Sequence, residues 1–179
     1  MHSLRINAVA ISPMTNPDCF LCIENESFHL WSLEKGAASS AGANGGRPVY
    51  SQKASTSPLF CIEWNPHHAH QFMVGGVSSN LKMIDTRELT KKHNAKKSVP
   101  WKAKAAHSHS IRSISWSPLV EYWIATSSDD GTVKVWDTRY SKEGEAAMTL
   151  SAHSNVVNTV KWRFVAFYIF SLSLSVEVT

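Results

Sequence analysis

Charge, cysteine and long apolar runs are all scarce here. Charged side chains make up 18% of the 179 residues and leave a formal net charge of +4. With eight glycines and seven prolines the chain is neither collagenous nor globally disordered. Its 43% apolar content is enough for one domain with a real core. The cysteines number three, an odd count. Two of them fall inside Cys19-Phe20-Leu21-Cys22-Ile23, the pattern of a buried strand. A Cys-x-x-Cys metal or redox site would need a turn with free backbone N–H groups, and no second pair exists, so buried free thiols in a reducing compartment are expected. No Gly-x-Ser-x-Gly, paired-carboxylate site, metal cage or phosphate loop occurs, which argues against an enzyme and against a catalytic, cofactor or metal site. The apolar stretch from Phe164 to Leu174 is too short and too broken by serine to span a membrane. The N-terminus shows no secretory signal, so a cytoplasmic or nuclear protein is expected.

What is present is a beat. The segment Asp129-Asp130-Gly131-Thr132-Val133-Lys134-Val135-Trp136-Asp137-Thr138-Arg139 predicts a tight Asp-Gly turn leading into a strand with alternating faces. Weaker copies of its surroundings recur. Ile11-Ser12-Pro13, Trp64-Asn65-Pro66 and Trp116-Ser117-Pro118 follow one another at 53 and 52 residues, and Trp31, Ile84 and Trp136 keep the same spacing. Histidines stand nine residues before three of the strand ends: His2 before Ile11, His107 before Trp116 and His153 before Trp162. Independent landmarks in one register, with several short strands per period, predict stacked β repeats rather than a single sheet.

On these residues the chain resembles the WD-repeat β-propeller family, best in the repeat running from Ala106-His107 through Ser110–Pro118 to Ile124–Asp137. The resemblance covers roughly residues 2–162 and implies an all-β fold of four-stranded antiparallel blades forming an incomplete propeller, since propellers close with about 4–8 blades. The blades are expected at about 2–54, 55–106 and 107–152, with part of a fourth from 153. Residues 163–179 form an atypical apolar tail within which Ser171–Val178 alternates like a strand. The chain is accordingly expected to be part of a larger propeller, with exposed blade edges that invite self-association. In the family a blade is fastened by histidine, turn aspartate, a strand serine or threonine and tryptophan. Carried over, these are His107, Asp130, Ser128 and Trp136. Serine, histidine and aspartate also make a hydrolase triad, but Ser128 lies within a strand and not at a nucleophile elbow, so the set is expected to be structural. The first repeat has Asn25 in place of the turn aspartate, and the second has Ile84-Asp85 for Trp136-Asp137.

Two inserts interrupt the beat. Gly36–Pro48 has linker composition and precedes Val49–Gln52, the expected outer strand of the first blade. The segment from Glu88 to Ala106 carries Lys91, Lys92, Lys96, Lys97, Lys102 and Lys104 against one acid. It is expected to be a solvated loop or an electrostatic handle for an acidic partner, nucleic acid or anionic lipid. His67, His68 and His70 crowd one loop but have no carboxylate or cysteine nearby in sequence, so no metal is expected there. Asp85-Thr86-Arg87 and Asp137-Thr138-Arg139 end consecutive repeats. Similar Trp-Asp-x-Arg segments serve some propellers as contacts for the adaptor of a cullin-based ubiquitin ligase, which makes Arg87 and Arg139 candidate partner contacts. The function these features imply is a non-enzymatic scaffold or adaptor binding other proteins within a multiprotein complex, without a cofactor. A ligase substrate receptor is the alternative, or a histone or nucleic-acid binder using the 88–106 insert.

Overall fold

A computed structural model describes residues 5–13, 19–32, 48–89, 100–140, 145–151 and 153–162, and the backbone of 169–173. Apart from one helical turn the described elements are strands. The first sheet runs β1 (Ile6–Ile11), β2 (Cys19–Glu24), β3 (Ser27–Ser32) and β4 (Tyr50–Lys53). The second comprises β5 (Leu59–Trp64), β6 (Gln71–Gly76), β7 (Leu81–Asp85) and β8 (Trp101–Ala103), with α1 (Thr86–Leu89) after β7. β9 (Ile111–Trp116), β10 (Trp123–Ser128), β11 (Val133–Asp137) and β12 (Met148–Leu150) make the third. A last antiparallel pair joins β13 (Val157–Trp162) to β14 (Ile169–Ser173).

Each four-stranded sheet is an antiparallel meander in chain order. The opening strands β1, β5, β9 and β13 are neighbours in space, so the sheets are stacked face to face around their first strands. This is the blade arrangement. Its turns pass through positive φ, which glycine and asparagine tolerate best. Gly131 sits at φ +78° in the third sheet, Ser79 at +56° in the same position of the second, and Asn25 at +50° in the two-residue turn of the first.

Stacking buries both faces of the middle sheet, which is why β6 is apolar without alternation. Phe72 and Val74 face the first sheet with Leu59, Ile62, Trp64 and Ile84. Met73, on the other face, packs with Cys61, Met83 and Trp101 against Ile114, Trp116 and Trp136 of the third. Phe28 and Phe72 meet edge to face at 5.0 Å across the first junction, a contact worth about 0.5–1.5 kcal/mol beyond the area it buries. Ala125, Val133, Val157 and Val160 seal the third junction.

Three expectations need correcting. The basic insert is not one loop: Trp101–Ala103 is the outer strand of the second sheet, its Trp101 and Ala103 buried and Lys102 exposed between them. Lys91, Lys92, Lys96 and Lys97 lie outside the described residues. In the tail the strand begins at Ile169, inside the apolar run, rather than at Ser171. The outer strand of the first sheet starts one residue later than expected, at Tyr50.

Candidate interaction surfaces

Side chains of one opening strand satisfy the exposed backbone edge of the next. Asn7 Nδ2 donates to the Leu59 carbonyl at 2.8 Å, and Glu63 Oε2 accepts from the Trp116 N–H at 2.8 Å. Ser115 Oγ accepts from the Trp162 N–H at 3.5 Å, while Trp162 Nε1 returns a bond to the Ser115 carbonyl at 3.0 Å. Glu63 and Ser115 occupy one register position, the residue before the strand-end tryptophan. Glu63 also takes an ion pair from Lys161 at 3.1 Å. Burial raises its carboxyl pKa above the ordinary value, against the pull of Lys161 and the Trp116 N–H.

The pinning network of the third sheet faces the second. Trp136 Nε1 donates to Thr126 Oγ1 at 2.9 Å, and Thr126 Oγ1 bonds His107 Nε2 at 2.8 Å. His107 Nδ1 lies 3.0 Å from Asp130 Oδ2 and 3.1 Å from Thr132 Oγ1. An ionised carboxylate only accepts, so the Nδ1 proton points at Asp130 and Nε2 accepts from the threonine hydroxyl. Burial lowers the His107 pKa and keeps the ring neutral, although Asp130 pulls the other way. Burial would raise the Asp130 carboxyl, but the Thr132 hydroxyl and N–H, His107 and the Ser108 N–H outweigh it and hold it far below the usual carboxylate range.

The strand member of this network is therefore Thr126 and not Ser128. Both stand on the face that carries Trp136, but Trp136 pairs with Ile124, so its indole reaches two residues along to Thr126. Ser128 is two further, at the turn, and its hydroxyl accepts the Asp130 N–H at 3.1 Å. His107 bonds Thr126 on one side and Asp130 on the other, so the Ser-His relay of a hydrolase is not what this histidine forms. The first sheet repeats the motif with sulfur: Trp31 Nε1 donates to Cys22 Sγ at 3.2 Å, and Cys22 occupies the register position of Thr126. The second sheet has Val74 and Ile84 there and holds by apolar packing.

Both Asp-Thr-Arg tails fold into the same clamp. Arg87 donates its N–H and Nε to Asp85 Oδ1 at 2.9 and 3.1 Å and its Nη2 to Oδ2 at 2.6 Å. Arg139 does the same to Asp137 at 3.0, 3.1 and 2.7 Å. The arginine bonds hold each carboxyl pKa down. Arg139 also lies over the rings of Tyr122 and Tyr140, at 4.5 and 4.9 Å.

The loop histidines diverge. His67 Nε2 bonds the Ser117 carbonyl at 2.9 Å, His68 Nε2 pairs with Glu121 at 2.6 Å and His70 faces Thr86. The first two clasp the matching loop of the next sheet, bringing a carboxylate that sequence proximity did not reveal. Among the described residues no group of His, Cys, Asp and Glu is placed to hold a metal. Cys22 and Cys61 are buried free thiols, and burial pushes both thiol pKa values up.

One face is left uncovered. In the second and third sheets the face turned to the preceding sheet carries Ile62 and Trp64, then Ile114 and Trp116, all no more than 8% exposed. The equivalent residues of the first sheet are Val9 and Ile11, which are 55% and 77% exposed. Beside them Phe20 stacks on Trp31 at 5.9 Å. At the rim of the opening strands, Arg5, Ile6, Asn7, Phe60 and Arg112 line a cleft of about 390 Å³. Arg112 is held there by both oxygens of Asp129, at 2.5 and 2.9 Å.

The family model described as WD domain, G-beta repeat matches residues 101–137, which include the whole pinning network. Residues 101–137 are a WD repeat. A protein transport protein sec13 from Emericella nidulans is 27% identical over 90% of this chain and 53% of its own length. The EARP and GARP complex-interacting protein 1 of Homo sapiens is 27% identical over 86% of the chain and 36% of its own length. A protein transport protein SEC31 from Coccidioides immitis is 26% identical over 78% of the chain and 10% of its own length. The chain thus spans about half the length of the sec13 relatives it matches. The described four-stranded antiparallel sheets have the form of blades of an incomplete propeller. No helix among the described residues is long and apolar enough to cross a membrane.

Proposed function

We propose that the chain is a non-enzymatic WD-repeat scaffold that binds other proteins within a multiprotein complex of protein transport. The observation that carries this reading is the bare apolar face of the first sheet. Val9, Ile11, Phe20 and Trp31 occupy positions whose counterparts in the next two sheets are packed away. A contiguous apolar face of this kind marks a protein contact, whether with another protein or with a further copy of the chain. Two relatives carry protein transport in their names and a third is named for its interaction with complexes, which supports the setting and a cytoplasmic location. The Asp85–Arg87 and Asp137–Arg139 clamps leave the ligase-receptor reading without support of its own, since each guanidinium is already bound to the carboxylate two residues before it.

The test is affinity purification of the tagged chain from cells, comparing the native sequence with Ile11→Lys and Val9→Lys. The expected result is a stoichiometric protein partner lost from both variants, with far-UV circular dichroism unchanged. Recovery of the same partners by the variants would refute the role of this face. A chain that brings down no partner and sediments as a monodisperse monomer would refute the scaffold reading itself.

A further inference from the structure

The second sheet differs from the third at the point where the pinning network begins. Register places Ser55 at the position of His107, Ser78 at that of Asp130 and Asn80 at that of Thr132. The lysine that follows is kept: Lys82 Nζ donates to the Ala54 carbonyl at 2.6 Å, as Lys134 Nζ does to the Ala106 carbonyl at 2.7 Å. Exchanging an imidazole and a carboxylate for two hydroxymethyl groups removes volume and a negative charge together. Beside them lies a cleft of about 340 Å³ lined by Lys53, Ala54, Ser55, Thr56, Asn80 and Lys82, and the Ser55 hydroxyl lies 3.4 Å from that of Ser78.

The charges around this cleft are unbalanced. Lys82 is half-buried and has no carboxylate partner among the described residues. Lys102 stands directly opposite it across β7 and β8, and like charges so placed repel. In the third sheet the residue opposite Lys134 is Thr149, and Asp130 supplies the negative charge. Lys53 is paired with Glu26. Lys82 in the cleft wall, with Lys102 across from it and the hydroxyl and amide groups of Thr56 and Asn80 beside it, would gain from an anion that accepts several hydrogen bonds at once.

We propose that this cleft is a binding site for a phosphate monoester, with Lys82 of its lining and the neighbouring Lys102 supplying charge and Thr56 and Asn80 donating hydrogen bonds. The phosphate is carried on a serine or threonine of a protein segment, which can reach the cleft because it opens to solvent beside exposed Thr56 and Lys53. This inference does not rest on the scaffold reading. The site lies between β4 and β7, away from the bare face of the first sheet.

The experiment is calorimetric titration of the full chain with a phosphoserine peptide, its unphosphorylated twin and inorganic phosphate. Lys82→Met removes the charge and keeps the stem. Ser78→Asp puts a carboxylate where the third sheet has Asp130. Lys134→Met is the control from the third sheet. Saturable binding of the phosphopeptide but not its twin is expected, weakened about tenfold or more by either cleft variant and unaffected by the control. Should Lys82→Met fail to fold, Ser78→Asp decides alone. Equal affinity for both peptides, no saturation, or an undiminished affinity in Ser78→Asp would overturn the proposal. Binding of inorganic phosphate alone, without the phosphopeptide, would overturn its protein-borne source.

Discussion

Replacing Thr126 by valine tests the pinning network at its junction. The two side chains are nearly the same shape, so packing against Trp136 is retained while the hydroxyl is lost. Thr126 and Trp136 are fully buried and His107 is 2% exposed, so water cannot replace the lost partner. The substitution strands the Trp136 indole N–H, bonded at 2.9 Å, and His107 Nε2, bonded at 2.8 Å. A buried polar group left without a partner costs about 1–3 kcal/mol, and with two such groups Thr126→Val should cost about 2–6 kcal/mol. In a chain of this size each kcal/mol moves Tm by about 2–4 °C. Ser128→Ala removes a single bond, from the Asp130 N–H at 3.1 Å, and should cost about 1 kcal/mol. Urea unfolding followed by tryptophan fluorescence and far-UV circular dichroism would rank the two, with Thr126→Ser restoring most of the loss. If Ser128→Ala proved as costly as Thr126→Val, the tryptophan's partner would be the serine after all and the register argument would fail.

The same network predicts acid sensitivity. His107 has a folded pKa below its ordinary value, so the unfolded chain binds a proton that the folded chain refuses, and stability is lost as pH falls below about 6.5. Asp130 has a depressed folded pKa, so its contribution is complete above about pH 4 and is lost on further acidification. Urea midpoints measured from pH 8 to pH 4 should fall, with a shallower slope in His107→Gln; a slope identical to the native one would show that His107 is not the titrating group. At Glu63 the raised pKa has the opposite sign. Ionising the group in the folded state costs stability, so Glu63→Gln should be neutral or stabilising at pH 7, whereas Glu63→Ala strands the Trp116 N–H and should cost about 1–3 kcal/mol. Denaturant midpoints of the two variants check this. A Cβ at Gly76 would press on the Pro58 carbonyl and come within 2.7 Å of Leu59 Cα. Gly76→Ala should therefore lower stability by about 1–3 kcal/mol in the same assay.

Legibility followed what can be written along one strand. The spacing of Trp31, Ile84 and Trp136 located the third strands of three sheets, because a period survives loss of the individual motif residues. The choice between Thr126 and Ser128 was not legible, because both point to one face and only the cross-strand pairing of Trp136 with Ile124 separates them. The strand Trp101–Ala103 was hidden by its composition: a lysine between two small or aromatic residues resembles the basic run around it until Trp101 is seen packed at 6.2 Å from Trp136. His68 and Glu121 stand 53 residues apart, one repeat, so their contact follows from the stacking and not from local sequence. The bare face was invisible for a similar reason. Val9 and Ile11 read like any core pair, and their exposure depends on what lies against the sheet.

Stacking also explains how the second sheet persists without a pinning network. In place of that network it has contacts on both sides. Asn7 bonds its first strand from one neighbour, while Cys61 and Glu63 reach the edge of the other, at Ile111 and Trp116. Ala10, at the register position of Glu63 and Ser115, has no side chain to offer the Trp64 N–H, so the bond repeated at the second and third junctions is missing from the first. That junction depends instead on apolar contacts such as Phe28 against Phe72. Aromatic packing thus fastens the first junction, and the polar edge bond recurs at the second and third. The second sheet, which has neither the histidine nor the tryptophan, is packed on both faces, as the third is, and holds by those contacts alone. Its freedom from the network is what leaves Ser55 and Ser78 small and Lys82 without a carboxylate, so the repeat that departs furthest from the family pattern is the one with room for a ligand.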